Sequence, residues 1–145
     1  MMRPKDYFTP EQQTQIVEAI EEAELNTSGE IRVHIDLNCK GEVLDQAART
    51  FAMLKMHKTK LRNGVLIYLS IQDHKFAILG DAGINTQVPE NFWETTKQAM
   101  LDKFKENNLT EGLVTGIIMA GEQLKKYFPF KDDDINELEN NISFG

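Results

Sequence analysis

Three oxygen-bearing side chains, Glu30, Asn63 and Asp81, sit beside glycines in the short polar stretches Ser28-Gly29-Glu30, Arg62-Asn63-Gly64 and Gly80-Asp81-Ala82-Gly83. Two carboxylates and an amide oxygen, joined by backbone carbonyls from glycine turns, are the hard donors that calcium or magnesium prefers. A soft metal would want sulfur or imidazole, and neither occurs in these stretches. The same residues also admit a purely structural reading, in which the glycines supply turn dihedrals and Asp81 caps or solvates a turn.

Other chemistry is poorly provided for. Cys39 is the single cysteine, so it forms neither an internal disulfide nor a cysteine zinc site. A thiolate phosphate cradle would need arginine six residues on, where Asp45 stands, and neither a Gly-x-Ser-x-Gly elbow nor a Walker-type loop occurs. His34 is expected at solvent or a helix flank and His57 and His74 at the surface, each without a nucleophile to serve. Near the end of the chain Asp132, Asp134 and Asn136 match the first three ligand positions of a calcium loop. Glu137 then replaces the required glycine, and Ser143 replaces the final bidentate glutamate.

For the three stretches to meet, the intervening elements must return the chain to one place. Thr9-Pro10-Glu11-Gln12 has the form of a helix start with a capping box, and Ile16, Ala19, Ile20 and Ala23 carry the helix to about residue 25. From Glu30 the period becomes two, with Ile31, Val33, Ile35 and Leu37 alternating with Glu30, Arg32, His34 and Asp36. That predicts a strand near a sheet edge with one buried and one polar face. Leu44, Ala47, Ala48, Phe51 and Leu54 make the stripe of a second helix, and Val65 to Leu69 form a central strand apolar throughout.

Strand, helix, strand implies a parallel crossover, whereas the short Gln72-Asp73-His74 connection into Phe76 to Leu79 forces an antiparallel hairpin. The sheet is therefore mixed, and the starts of its first two strands share an end with the finish of the third. Pro89 and Thr110 are read as the starts of a third and a fourth helix. Gly112, Gly116 and Gly121 in the fourth permit close approach of a neighbour.

With 145 residues, 41% of them hydrophobic, the chain suits one core, assigned to residues 9–130, followed by a weakly ordered acidic tail over 131–145. A formal charge of -7 argues against nucleic acid and is compatible with divalent cations or a basic protein partner. No apolar run reaches the length of a membrane span, and Met1-Met2-Arg3-Pro4-Lys5-Asp6 leads into a polar helix, so a cytoplasmic protein is expected.

Asn63-Gly64-Val65-Leu66-Ile67-Tyr68-Leu69, the hairpin through Gln72 to Lys75, Gly80-Asp81-Ala82-Gly83-Ile84, Val88-Pro89 and Glu111-Gly112-Leu113 resemble, in that order, the TPM (TPM-phosphatase) domain. With Ser28 to Val33 as first strand, the likeness spans roughly residues 9 to 128. It implies a three-layer α/β/α sandwich around a mixed sheet, calcium or other divalent-cation binding in loops at one sheet end, and weak acid phosphatase activity. Many members have an acidic residue where this chain has Arg62, and Asp81 stands where an uncharged residue is frequent, so Asp81 is a candidate to restore a missing carboxylate. The expected function is binding of a divalent cation, calcium before magnesium, through Glu30, Asn63 and Asp81. The alternatives are metal-assisted phosphomonoester hydrolysis and a non-enzymatic interaction module with an acidic surface.

Overall fold

The Thr9 hydroxyl accepts the Gln12 N–H at 3.1 Å while the Gln12 side chain accepts the Thr9 N–H at 2.9 Å. This closed capping box, with Pro10 at the first helical position, starts helix α1 (Pro10–Glu24) as its spacing predicts. The computed structural model describes residues 2–131 and 136–145, so the Asp132 to Asp134 run, with the calcium-loop pattern that begins in it, lies largely outside the described residues. After α1 come β1 (Glu30–Asp36), α2 (Val43–Met53), β2 (Gly64–Ser70), β3 (Lys75–Gly80), α3 (Ala82–Asn85), α4 (Glu94–Lys105), α5 (Leu109–Leu124) and β4 (Ser143–Phe144).

The sheet is mixed, in the order β3-β2-β1-β4, with β1 parallel to β2 and to β4 and β2 antiparallel to β3. Ile31, Val33 and Ile35 join Ile16, Ile20, Met100, Leu113 and Ile117 in one core, between the sheet and the layer of α1, α4 and α5. Leu66, Tyr68 and Ala77 meet Ala47, Phe51 and Met56 on the other face, under α2. The result is the expected three-layer α/β/α arrangement.

Helix α5 uses its glycines for contact. A methyl group at Gly121 would lie 2.8 Å from the Ala23 Cβ and 3.0 Å from the Ala23 carbonyl oxygen of α1, while Gly112 and Gly116 seat Phe104 and Met100 of α4. Two starts differ from expectation. Helix α4 begins at Glu94 because residues 89–93 turn to pack Phe92 edge-on against Trp93 and Tyr127, and Gln123 donates to the Phe92 carbonyl at 3.0 Å. Helix α5 is capped by Asn108, which accepts the Glu111 N–H at 3.2 Å, because Asn107, with φ 61°, has already broken α4.

The larger difference concerns the polar face of β1, whose residues Glu30, Arg32 and His34 are buried. Residues 136–145, expected as part of a weakly ordered tail, lie along it. The Leu138 N–H donates to Glu30 at 2.7 Å, Arg32 donates to the Asn141 carbonyl at 3.3 Å, and the Ser143 hydroxyl meets His34 Nδ1 at 2.8 Å. Leu138, Ile142 and Phe144 supply the apolar contacts that hold the segment down. Gly121→Val forces a side chain into the backbone of α1 and should destabilise the fold by about 2 kcal/mol, lowering Tm by roughly 6 °C in a thermal melt.

Candidate functional site

Register places the three expected side chains. Glu30 lies opposite Gly64 in the parallel ladder and Gly80 lies opposite Val65 in the antiparallel one, so Asp81 comes next in the row beside Gly64. The Asp81 N–H donates to the Gly64 carbonyl at 2.9 Å and confirms that row. With strands about 4.8 Å apart, Glu30 and Asp81 flank Gly64 with backbones roughly 10 Å from each other. Asn63 ties the loops together: its carbonyl accepts the Glu30 N–H at 3.2 Å and its side-chain amide donates to the Ser28 carbonyl at 3.1 Å. That bond uses the amide nitrogen, so the amide oxygen keeps its capacity as an acceptor.

Asp81 is already engaged. Arg62 grips both carboxylate oxygens, each at 2.8 Å, and the Ala82 N–H donates to one of them at 2.7 Å at the start of α3. The Arg62 guanidinium is held above its ordinary pKa by these hydrogen bonds and by the charge of Asp81. Arg62 takes a left-handed backbone at φ 52°, uncommon for a residue with a side chain, and the Gly83 N–H bonds to its carbonyl at 2.9 Å. A Cβ at Gly83 would collide with the carbonyl oxygens of Leu61 and Arg62, so that loop closes only with glycine. The Asp81 side chain is 5% exposed and that of Arg62 50%, so the cation is the partner able to swing away.

A fourth group belongs here. Glu24, the last residue of α1, accepts the Ile31 N–H at 3.0 Å and lines with Thr27, Ser28, Gly29, Glu30 and Asn136 a cavity of about 90 Å3. Burial pushes the Glu24 carboxyl up to about 7, and the neighbouring charges of Glu30 and Glu21 add to the rise against the Ile31 hydrogen bond. Sequence reasoning passed over it as one of many acidic residues on the polar face of a helix. A signal existed in its position, because a carboxylate in the last turn opposes the helix dipole and the six-residue return to Glu30 brings it back against the strand. Among the described residues no group of three or more His, Cys, Asp or Glu converges as a ready metal cluster.

Away from this end, His34 does not face solvent as expected. Its Nε2 meets Asp36 at 2.8 Å, Tyr68 donates to the other Asp36 oxygen at 2.6 Å, and the His34 and Tyr68 rings stack with centroids 5.9 Å apart. Although burial opposes it, the hydrogen bonds from His34 and Tyr68 hold the Asp36 carboxyl below its ordinary range. The cluster joins β4 to β1 and β2.

The TPM domain family model matches residues 1–123. The chain is similar along its whole length, and along all of that chain, to the NMR structure of the BA42 protein of the psychrophilic bacterium Bizionia argentinensis, at 50% identity and a TM-score of 0.93. The N-terminal domain of a P. gingivalis protein matches at 15% identity and a TM-score of 0.69, covering 88% of this chain and 94% of that one. The N-terminal domain of the cg2496 protein of Corynebacterium glutamicum matches at 9% identity and 0.65, covering 88% and 80%, and like the preceding one shows the fold alone. No curated protein matches.

A glutamate whose folded pKa stands above its unfolded one binds its proton more tightly in the native state, so its contribution is present below the unfolded value and is lost as pH rises through the folded one. For Glu24 that window runs from 4.5 to about 7. Urea unfolding across this range should show stability falling toward neutrality, by about 2 kcal/mol after allowance for solvent screening. Glu24→Gln should flatten that slope.

Proposed function

The chain belongs to the TPM domain family, and from that premise we propose that it binds a divalent cation, calcium before magnesium, at the amino end of its sheet. The observation that carries this reading is the pair Glu24 and Glu30, two acidic side chains on one small cavity with the first raised to about 7. Like charges so placed repel, and a divalent ion relieves the repulsion more fully than a proton on one of them. In this reading Glu30 is the central ligand, Glu24 shares its cavity, and carbonyls of the Thr27 to Gly29 turn together with the amide oxygen of Asn63, whose nitrogen is tied to the Ser28 carbonyl, complete an oxygen set. Irregular sets of this kind suit the variable coordination of calcium better than the strict octahedron of magnesium.

Asp81 joins as a ligand by exchanging Arg62 for the ion. In that arrangement Arg62 is an internal counterion that holds the carboxylate until a stronger cation arrives. Hydrolysis of a phosphate ester would add a water activated by the bound ion. Among the described residues no separate base is positioned to take its proton, so binding is the function put forward.

Calcium titration followed by amide chemical shifts tests the site. Shifts should centre on residues 24, 28–30 and 63, and Glu30→Gln should lower affinity at least tenfold, the order of one lost charged contact. Affinity should weaken by up to tenfold per pH unit below about 7, as calcium competes with the Glu24 proton. Arg62→Ala should tighten binding; an unchanged constant there would remove Asp81 from the ligand set, and indifference to both Glu24→Gln and Glu30→Gln would reject the site.

A further inference from the structure

The carboxyl ends of β1 and β2 lie at the opposite end of the sheet, six residues along the ladder from Glu30 and Gly64, or roughly 20 Å at the usual strand rise. There the β2–β3 hairpin and the turn between α4 and α5 enclose a cavity of about 500 Å3, of the size that holds small organic ligands. Its wall is apolar: Leu69, Ile71, Phe76, Leu101, Phe104 and Leu109 line it. The Phe76 and Phe104 rings meet edge-to-face with centroids 5.0 Å apart, and Phe104 is seated on Gly112 of α5, so the wall is braced from behind. In open α/β sheets ligands characteristically bind outside the carboxyl ends of the strands, which is where this cavity opens.

Its polar groups are few, and each is basic or neutral. Lys105, His74, Tyr7, Asn107 and the buried Ser70 line it, and no lining residue is acidic. Three other cavities among the described residues have Glu18, Glu22 and Glu111, Glu24 and Glu30, or Glu18 and Glu21 in their linings. In a chain with 23 acidic against 16 basic residues, a carboxylate-free cavity edged by an ammonium and an imidazole selects for negative charge. Lys103 on the same helix is paired with Glu111 at 3.2 Å, whereas Lys105 and His74 enter no ion pair among the described residues. Both stand exposed at the rim: His74 in the hairpin turn at φ 54°, and Lys105 at the end of α4 two residues before Asn107 at φ 61°.

The geometry points to a second, separate binding site for a small amphipathic carboxylate, with its alkyl or aromatic body between Phe76 and Phe104 and its carboxylate against Lys105 and His74, the Tyr7 hydroxyl donating beside them. The site lies at the far end of the sheet from the carboxylates proposed for the cation and does not depend on them.

Decanoate below its micelle concentration is a suitable probe, titrated into the full chain with amide shifts as the readout. Saturable shifts confined to residues 69–76 and 101–109 are expected. Lys105→Gln, an exposed change that leaves the fold alone, should weaken binding about tenfold, the scale of one charge-assisted contact. Decanol should bind at least tenfold more weakly than decanoate for the same reason. Leu101→Trp, with its melting curve recorded alongside, should fill the cavity and abolish binding. Non-saturating or dispersed shifts, decanol equal to decanoate, or affinity indifferent to Lys105→Gln would each overturn the assignment.

Discussion

The pairing of Glu30 with Gly64 across the parallel β1–β2 ladder positions every group at the amino end of the sheet. Side chains along a strand alternate between faces, so a slip of one residue would carry Glu30 into the apolar core and turn Ile31, Val33 and Ile35 onto the polar side. Each of those three is fully buried, and each is worth about 2 kcal/mol in that position. A slipped register would pull these three out of their packed core and set Glu30, Arg32 and His34 into it without partners, a cost of several kcal/mol in unpaired buried charge. The site is thus held in place by hydrophobic burial on the opposite face, not by its own polar contacts. The hairpin after β2 then returns the chain so that Asp81 falls into the same row.

Burial of the polar face of β1 creates a second demand, because polar groups removed from water must find partners. The segment 136–145 meets it almost residue for residue, through the Leu138 N–H, the Asn141 carbonyl and the Ser143 hydroxyl. The match is incomplete at Arg32. Its Nε has no hydrogen-bond partner among the described residues, and burial lowers the guanidinium pKa despite the charge of Glu139. An unsatisfied buried donor costs about 1–3 kcal/mol, which the apolar anchors Leu138, Ile142 and Phe144 must outweigh. At the row's other end the Arg62–Asp81 pair is half open to water, so its strength lies in bidentate geometry more than in net charge attraction.

Much of this is legible in the sequence, and the reasons are local. The period-two run from Glu30, the uniformly apolar Val65 to Leu69 and a three-residue polar connection are short-range patterns that leave little choice of topology. The capping box at Thr9 and the small residues of α5 are likewise carried by neighbours in sequence, and among the described residues no helix is long and apolar enough to cross a membrane. What escaped depends on distant partners. Glu30, Arg32 and His34 have the form of a solvated face and are buried only because a segment more than a hundred residues later covers them. Glu24 is one acid among 23 until the fold encloses it. The Arg62 grip on Asp81 has no local mark beyond the two residues' types.

The two ends of the sheet therefore carry opposite chemistry on one rigid frame. One gathers carboxylates, with Glu24 raised by burial and by the charge of Glu30 and Asp81 paired with Arg62; the other is free of carboxylates in its lining and presents a basic edge above an apolar wall. At roughly 20 Å the separation exceeds two Debye lengths at physiological salt, so charge added at one end is largely screened before it is felt at the other. Electrostatic coupling between the ends is correspondingly small. A mechanical link would have to pass along β2, whose seven residues are all buried between the two helical layers and have little freedom to shift. Ligands bound at the two ends would therefore equilibrate independently, because a coupling free energy needs an element with two packed arrangements and a strand buried on both faces is poorly suited to supply one.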